Sequence, residues 1–529
     1  MVRSLSRSLP AGLIVIGLAG WSSAALAQAA APALTPEGAA ALADQVDKGV
    51  RLWFPPTGEG AAFQWDGRTA AVVAGDHYNV ELPALQVTND DGSRLGVGKI
   101  TLALKPEADG VWGVGLAVPS PIAMLAADGK PEGELTIGRQ SFTGRWLSRL
   151  ETLVKADGTF GDIKAVSKKD KSLLQIGAIL VRTDLAEAAP GRWSGPSALS
   201  LQNFAMNDEH GIQVARLGSV AIEADVVGMD LNHAATLNQK AEAIPAAEGA
   251  LALRKRLALL NGLFSSAQGR VVLSDLALTA PADGSNVRLE RIGIRLGVEG
   301  FDQEKSTLSV GYDHAGLKLE PPPGPTDFLP VKVELALAAA SLPNNGLWAT
   351  FTKALDAPAG KDDTIGQALA GQLLGALTQA GSKLRIDALN LDSAALAARV
   401  KGEARFNAQS PMGVVADINM SLRGLEAAAK QLQPKPGAKV DEEAQNILAM
   451  VTMAQAFGAP AKDEAGRDIR TYALQLDAGG RMMLNGADMS ALFPTAPAPA
   501  PAANGKKVAP PATTGKKGVA VPSGQKDED

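Results

Sequence analysis

The sequence predicts an α+β, β-dominated fold: a long twisted antiparallel sheet built from repeated hairpins, with amphipathic helices packed on one face. Three observations carry that expectation. From about Val80 onward, apolar residues recur at every second position, with Gly, Lys, Arg, Asp, Asn and Gln between them. Polar turn signals separate these runs. One hairpin-like unit recurs at irregular spacing. Alternation of this period puts one strand face on an apolar layer and the other in water, as antiparallel sheets do.

The N-terminus comes first. Arg3 and Arg7 precede an apolar run from Leu9 to Trp21, and Ala25-Leu26-Ala27 then leads into Gln28. That is the pattern of a secretory signal with an A-x-A cleavage site. Residues 1–27 are therefore expected to be a cleaved signal peptide and the periplasm the working compartment. The alternative is an inner-membrane anchor, because residues 9–31 are long and apolar enough to span if the signal is retained. Three further regions are expected: a β-rich region over 28–245, a helix-plus-sheet region over 246–493, and a disordered tail rich in Pro, Ala and Lys over 494–529.

The alternating runs include Ile100, Leu102 and Leu104; Ile292, Ile294, Leu296 and Val298; and Val331, Val333, Leu335 and Leu337. Further runs are Ala416, Ile418, Met420 and Leu422, and then Tyr472, Leu474 and Leu476. Leu296 is expected to be core. Turns are expected at Asn89-Asp90-Asp91-Gly92, Ala282-Asp283-Gly284 and Pro343-Asn344-Asn345-Gly346. The repeated unit covers 84–100, 204–220 and 276–294. Each copy is a strand, a polar turn and a strand entered through Leu95-Gly96, Leu217-Gly218 or Ile292-Gly293. The irregular spacing rules out a fixed-period solenoid.

Helices interrupt the strands. Residues 248–266 place Leu253, Leu257, Leu260 and Phe264 on one face, and 363–380 space Ile365, Leu369, Leu373 and Leu377 four apart. A shorter helix, 425–433, stops at Pro434. The segment 441–457 opens on Asp441, Glu442 and Glu443 and ends at Gly458, with Pro460 beyond.

Composition narrows the chemistry. The 529 residues exceed the ~250–300 at which single cores stop growing. The formal charge of −5, about −7 once Arg3 and Arg7 leave with the signal, gives no basic stripe for nucleic acid. There is no cysteine, which removes disulfides, thiol catalysis and thiolate metal sites. No G-x-S-x-G, H-E-x-x-H, G-x-G-x-x-G or P-loop pattern occurs. His77, His210, His233 and His314 are dispersed, and three lie near polar turn residues, which reads them as solvent-facing loop histidines. The acidic pairs Asp90-Asp91, Asp362-Asp363 and Asp441-Glu442-Glu443 are accounted for by a turn and two helix starts. No catalytic residue, cofactor or metal site is therefore assigned.

Arg254-Lys255-Arg256 reads as the solvated face of a packed helix, with contact to an anionic membrane surface as the alternative, and Ser167-Lys168-Lys169-Asp170-Lys171 reads as an exposed loop. Gly371 and Gly375 read as a close-packing pair of the 363–380 helix on the sheet. The extensive apolar sheet face remains, either as ordinary core or as an open trough for acyl chains.

Residues 383–493 carry a family resemblance. Leu384-Arg385-Ile386-Asp387-Ala388-Leu389-Asn390-Leu391 leads to a strand pair around Gln409-Ser410-Pro411-Met412-Gly413. A helix, Tyr472-Ala473-Leu474-Gln475-Leu476, the Gly479-Gly480 turn and Met483-Leu484-Asn485-Gly486-Ala487-Asp488-Met489 follow. This pattern resembles exported proteobacterial proteins known only as domains of unknown function, and is distantly similar to the AsmA-like envelope proteins. The resemblance implies an elongated sheet associated with envelope lipid, and no catalytic residue. The expected function is a non-enzymatic periplasmic envelope protein binding lipid along the apolar face, with envelope lipid or a membrane surface as partner. The alternative is a secreted hydrolase acting on envelope glycan or ester substrates, which needs separated carboxylates, or Ser with one of the four histidines, to converge in a cleft. An outer-membrane barrel is rejected, because helices interrupt the strands and the chain ends Lys-Asp-Glu-Asp.

Overall fold

A computed structural model describes residues 34–489, apart from 55–61, 151, 170, 246–251, 253–254, 257–258, 261, 282–283, 323–325, 345–362 and 434–441. The signal-like segment, the 494–529 tail, Arg254, Asp362 and Asp441 thus lie outside the described residues.

The strands join into one antiparallel sheet of 24 strands, as the alternation predicts. At one edge, β1 (Ala62–Asp66) and β2 (Ala70–Ala74) both pair with β3 (His77–Thr88), which pairs with β4 (Arg94–Pro106). The short strands β5 (Val111–Ala117) and β6 (Ile122–Leu125) share the next place. Beyond them come β7 (Pro131–Leu147), β8 (Thr152–Ser167) and β9 (Leu173–Asp184). The two-sided partner of β9 is β11 (Arg192–Asn207), whose start also pairs with β10 (Ala186–Ala189). The sheet continues through β12 (Gln213–Asp230), β13 (Ser266–Ala280), β14 (Ser285–Glu299) and β15 (Lys305–Ala315), with β16 (Lys318–Glu320) against the start of β14.

Next come β17 (Lys332–Pro343), β18 (Lys383–Asp392), β19 (Ala397–Phe406) and β20 (Val414–Arg423). The far edge holds β21 (Ala459–Lys462), β22 (Asp468–Leu476), β23 (Met482–Leu484) and β24 (Ala487–Asp488), with β22 lying beside β20. Spatial order therefore follows chain order almost throughout, the outcome of short hairpin connections. The three repeat copies are the hairpins β3–β4, β11–β12 and β13–β14. The pairing of β12 with β13 spans residue 245.

Five α-helices occur among the described residues: α1 (Pro36–Trp53), α2 (Leu231–Glu242), α3 (Asp363–Ala380), α4 (Leu425–Leu432) and α5 (Glu442–Phe457). Helices α3, α4 and α5 stand where the sequence periodicity predicts them, and α1 and α2 are additional. The signal for α1 was present. The Thr35 hydroxyl caps it by accepting from Gly38 N at 3.0 Å, and Pro36 occupies the first turn, where its missing N–H is harmless. Ala39, Leu42, Val46 and Val50 then face Tyr78, Val80 and Leu82 in the main core. The helix expected over 248–266 is corrected at its end. Gly262 turns the chain at φ 72°, and Ser266 already pairs with Val227 as the first residue of β13.

A crease runs across the sheet. In β8 the buried residues Phe160 and Ile163 are three apart, not two. The same step separates Ile176 from Ile179 in β9, Leu201 from Phe204 in β11, and Leu273 from Leu276 in β13. Strict alternation would throw one of each pair to the opposite face. Asp162, Asn203 and Asp275 sit at the steps, each with φ 55°. A left-handed residue resets the pleat, so Phe160, Ile163, Ile176 and Ile179 all join one cluster. Asx residues tolerate this conformation best after glycine. Their neighbours across the ladder are glycines because nothing larger fits. A Cβ at Gly138 or Gly177 would stand 2.9 Å from the Cβ of Asp162 or Asn203, and one at Gly218 would stand 2.8 Å from Asp275 Oδ2.

At the far edge, α4 and α5 pack Leu425, Ala428, Leu432 and Val451 against Leu396 and Leu422. The Tyr472 hydroxyl donates to Ala454 O at 2.6 Å and ties α5 to β22; burial holds this phenol above its ordinary range. Asn485 and Gly486, with φ 50° and 81°, make the expected tight turn.

Gly177→Val and Gly218→Val are expected to destabilise the protein by about 1–3 kcal/mol through the crease contacts. Gly269→Ala, where a Cβ meets nothing within 4 Å, should change stability by less than ~1 kcal/mol. Urea unfolding of the three variants checks the contrast. Tyr472→Phe should lose about 1 kcal/mol in the same assay.

Candidate functional site

Cross-strand partners present their side chains on the same face. Four rungs of partners can be followed across β13, β14, β15, β17, β18, β19 and β20. One runs Val271, Ile294, Tyr312, Leu335, Leu389, Val400, Met420. The next runs Gly269, Leu296, Val310, Leu337, Ile386, Gly402, Ile418. The others pass through Ile292 and His314, and through Val298, Leu308 and Leu384. A bulge at Asp387 keeps Leu389 and Ile386 on this same face.

The rungs differ in cover. Toward the N-terminal strands they run into the main core, where Ile179 and Phe160 are buried. From β12 to β18 the same face is open: Leu296 is 60% exposed, Leu384 48%, Ile222 45%, Leu308 44% and Val310 41%. A groove of about 460 Å³ lies on this open part, between the Val310 and Leu308 rungs, and reaches Ile418. Adjacent strands stand ~4.8 Å apart, so from β15 to β20 the groove spans about 19 Å. Leu296, expected to be core, is instead one of the most exposed apolar side chains. Period-2 alternation identifies an apolar face and carries no information about what covers it.

The opposite face is ionic. Arg291 and Asp313 pair at 2.9 Å, Lys383 and Glu403 at 3.1 Å, and Arg399 and Asp392 at 2.8 Å. Glu403 also pairs with Arg405; first Arg405 and then Lys383 hold its carboxyl below the usual range. A second groove, about 780 Å³, crosses this side over Arg182, Glu223, Arg270 and Arg295, whose mixed charges suit water.

The other candidates stay apart. Asp91 Oδ1 accepts from Ser93 N and Oγ, which is a turn role. Asp363, Glu442 and Glu443 open helices. Lys168 and Lys169 form an exposed turn, and Arg256 donates to Ile244 O. A Cβ at Gly371 or Gly375 meets nothing within 4 Å among the described residues, so the close packing expected there is not found. Among the described residues no three His, Asp or Glu side chains gather as a metal site. His77 lies beside Asp76, His210 is exposed in a turn, and His233 sits in the first turn of α2.

His314 departs from the loop reading. It lies half-buried in β15, on the apolar face. Its Nδ1 is 3.0 Å from Tyr312 Oη and its Nε2 3.1 Å from Pro330 O. Sequence held the signal: Tyr312 and His314 sit two apart inside an alternating strand, which places both on one face. No helix among the described residues is long and apolar enough to cross a membrane.

Leu296→Asp should leave unfolding free energy within about 0.5 kcal/mol of the parent, as at an exposed position. Ile179→Asp on the buried end of the same face should cost about 3–5 kcal/mol, or prevent folding. Urea denaturation of the pair separates open face from core.

No protein-family model, curated protein or solved structure matches this chain, and its site is read from its own residues.

Proposed function

We propose that this is a non-enzymatic periplasmic envelope protein that holds lipid acyl chains along the open apolar face of its sheet. The observation carrying this reading is the uncovered rung of Leu296, Val310, Leu337 and Ile386 with its groove between β15 and β20. Soluble proteins rarely leave a contiguous apolar surface of this kind without something to bind there. Each methylene laid on it is worth about 0.8 kcal/mol, so a long chain supplies the affinity without a single charged contact. The signal-like N-terminus supports the periplasmic setting, and the resemblance of residues 383–493 to AsmA-like envelope proteins supports the lipid class.

The full chain, purified from the periplasm without detergent, should carry lipid at a defined ratio in native mass spectrometry, with organic extraction identifying it. Leu308→Asp combined with Leu384→Asp should strip that lipid with little change in stability, since both positions are exposed. A ligand-free parent mass, with no uptake from added phospholipid, would falsify the reading.

A further inference from the structure

Along the groove of about 780 Å³ on the ionic face, one rung of cross-strand partners runs Ala198, Glu223, Arg270, Arg295, Gly311, Ala336, from β11 to β17. Partners in a rung share a face, so Arg270 and Arg295 stand side by side on adjacent strands, with Cβ atoms ~5 Å apart. Like charges directly opposite each other weaken a ladder. Among the described residues the Arg270 side chain has no carboxylate or other acceptor in reach. Arg295 has only Asp313 Oδ1, 3.8 Å from its Nη2, and Arg291 already holds the other oxygen of that carboxylate at 2.9 Å.

The floor beside the arginine pair is low. Arg295 lies across Gly311, where a Cβ would stand 3.0 Å from its Nε and 3.5 Å from its Nη2. The Ser309 hydroxyl lies over Gly297 on the neighbouring rung. Gly297, Gly311 and Ala336 thus raise no wall against an occupant, and Ser309 and Gln268 line the groove as further donors. Each guanidinium brings five N–H groups in a planar fork, the geometry that takes phosphate oxygens two at a time. On the other side of Arg270, Glu223 and Asp225 line the groove from β12, one strand or ~4.8 Å away. Neither carboxylate has a side-chain partner among the described residues. Ionised carboxylates only accept, so their occupant must donate. Two residues apart on one strand, they spread acceptors over ~6.8 Å, which fits several hydroxyls on a ring better than one compact ammonium. A bare anion would meet these acids as well as the arginines, and a neutral sugar would leave the arginines unpaired.

We infer that the ionic face holds a binding site for a phosphorylated sugar, with its phosphate between Arg270 and Arg295 and its hydroxyls donating to Glu223 and Asp225. The site lies on the opposite side of the sheet from the acyl-chain groove and stands independently of it. The same chemistry is presented by a soluble sugar phosphate and by a sugar-phosphate head on a lipid.

Isothermal titration of the full chain at low salt compares glucose-1-phosphate, inorganic phosphate, glucose and phosphoethanolamine. Glucose-1-phosphate is expected to bind about tenfold tighter than each of the others, the worth of one charge-assisted hydrogen bond. Arg270→Gln and Arg295→Gln should each weaken it about tenfold or more without lowering the melting temperature of the free protein, because each removes a like-charge contact. Glu223→Gln combined with Asp225→Asn should erase the advantage of glucose-1-phosphate over inorganic phosphate, a ratio internal to the variant. Co-sedimentation with phosphatidylinositol vesicles separates the two sources: retention that Arg270→Gln abolishes supports the lipid-borne head, and binding of the free probe alone supports the soluble one. Inorganic phosphate or phosphoethanolamine binding as tightly as glucose-1-phosphate, binding that survives both arginine substitutions, or no binding of any probe, free or on vesicles, overturns the inference.

Discussion

The geometry of this protein depends on the crease. A sheet of this length with strands of up to eighteen residues must keep one face apolar from end to end of every strand. Strict alternation does that only while the strand stays regular. Here each of several neighbouring strands takes a three-residue step at the same level, and the pleat is reset by a left-handed Asp or Asn in one strand set against glycine in the next. Because the step is shared, the ladder register on either side is the same: Gly161 pairs with Ala178 and Ile163 with Ile176. A bulge confined to one strand would have shifted its neighbours. The shared crease keeps both the register and the face.

That continuous face is used in two ways. Near the N-terminal strands it is closed with α1 into a core holding Tyr78, Val80, Leu82 and Ile100, all with no exposed surface. Toward β20 it is met at one strand end by the α4–α5 pair, and its middle is left open. Stability is therefore uneven. The N-terminal half rests on full burial, where each large side chain is worth about 1.5–3 kcal/mol. The open half relies more on the ladder. Its ion pairs on the opposite face are largely solvated, and such pairs contribute ~0–1 kcal/mol each and are screened by salt. Anything that covers the open face stabilises that half by mass action.

Much of this was legible in the sequence, for a physical reason. Side-chain period reports the face a residue occupies, so the runs from Ile100, Ile292 and Ala416 gave strands, and acids followed by a glycine stop gave α5. Two things were not legible. The cover over a face is a tertiary property, so Leu296 and Ile179 look alike in sequence and differ entirely in exposure. Close approach is another: Gly218 reads as a loose strand entry, and only its neighbour Asp275 shows why no Cβ is tolerated. The Thr35-Pro36 start of α1 was readable and lay before the region where alternation drew attention. His314 stands among polar residues, yet its spacing from Tyr312 puts both on the apolar face.

The asymmetry between the two faces explains how an open apolar surface persists in water. A long sheet with an exposed apolar face invites association through that face and through its edges. The far edge ends in β23 and β24, three and two residues long, which offer little backbone for another strand to pair with. Asn485 folds that edge inward: its amide group donates to Phe457 O and Thr471 O, and its Oδ1 accepts from Ala473 N. The ionic back face resists stacking. What is left accessible is the open apolar face from β12 to β18 and the groove on it. The open apolar face and the ionic back face thus divide the two sides of one sheet between two kinds of surroundings.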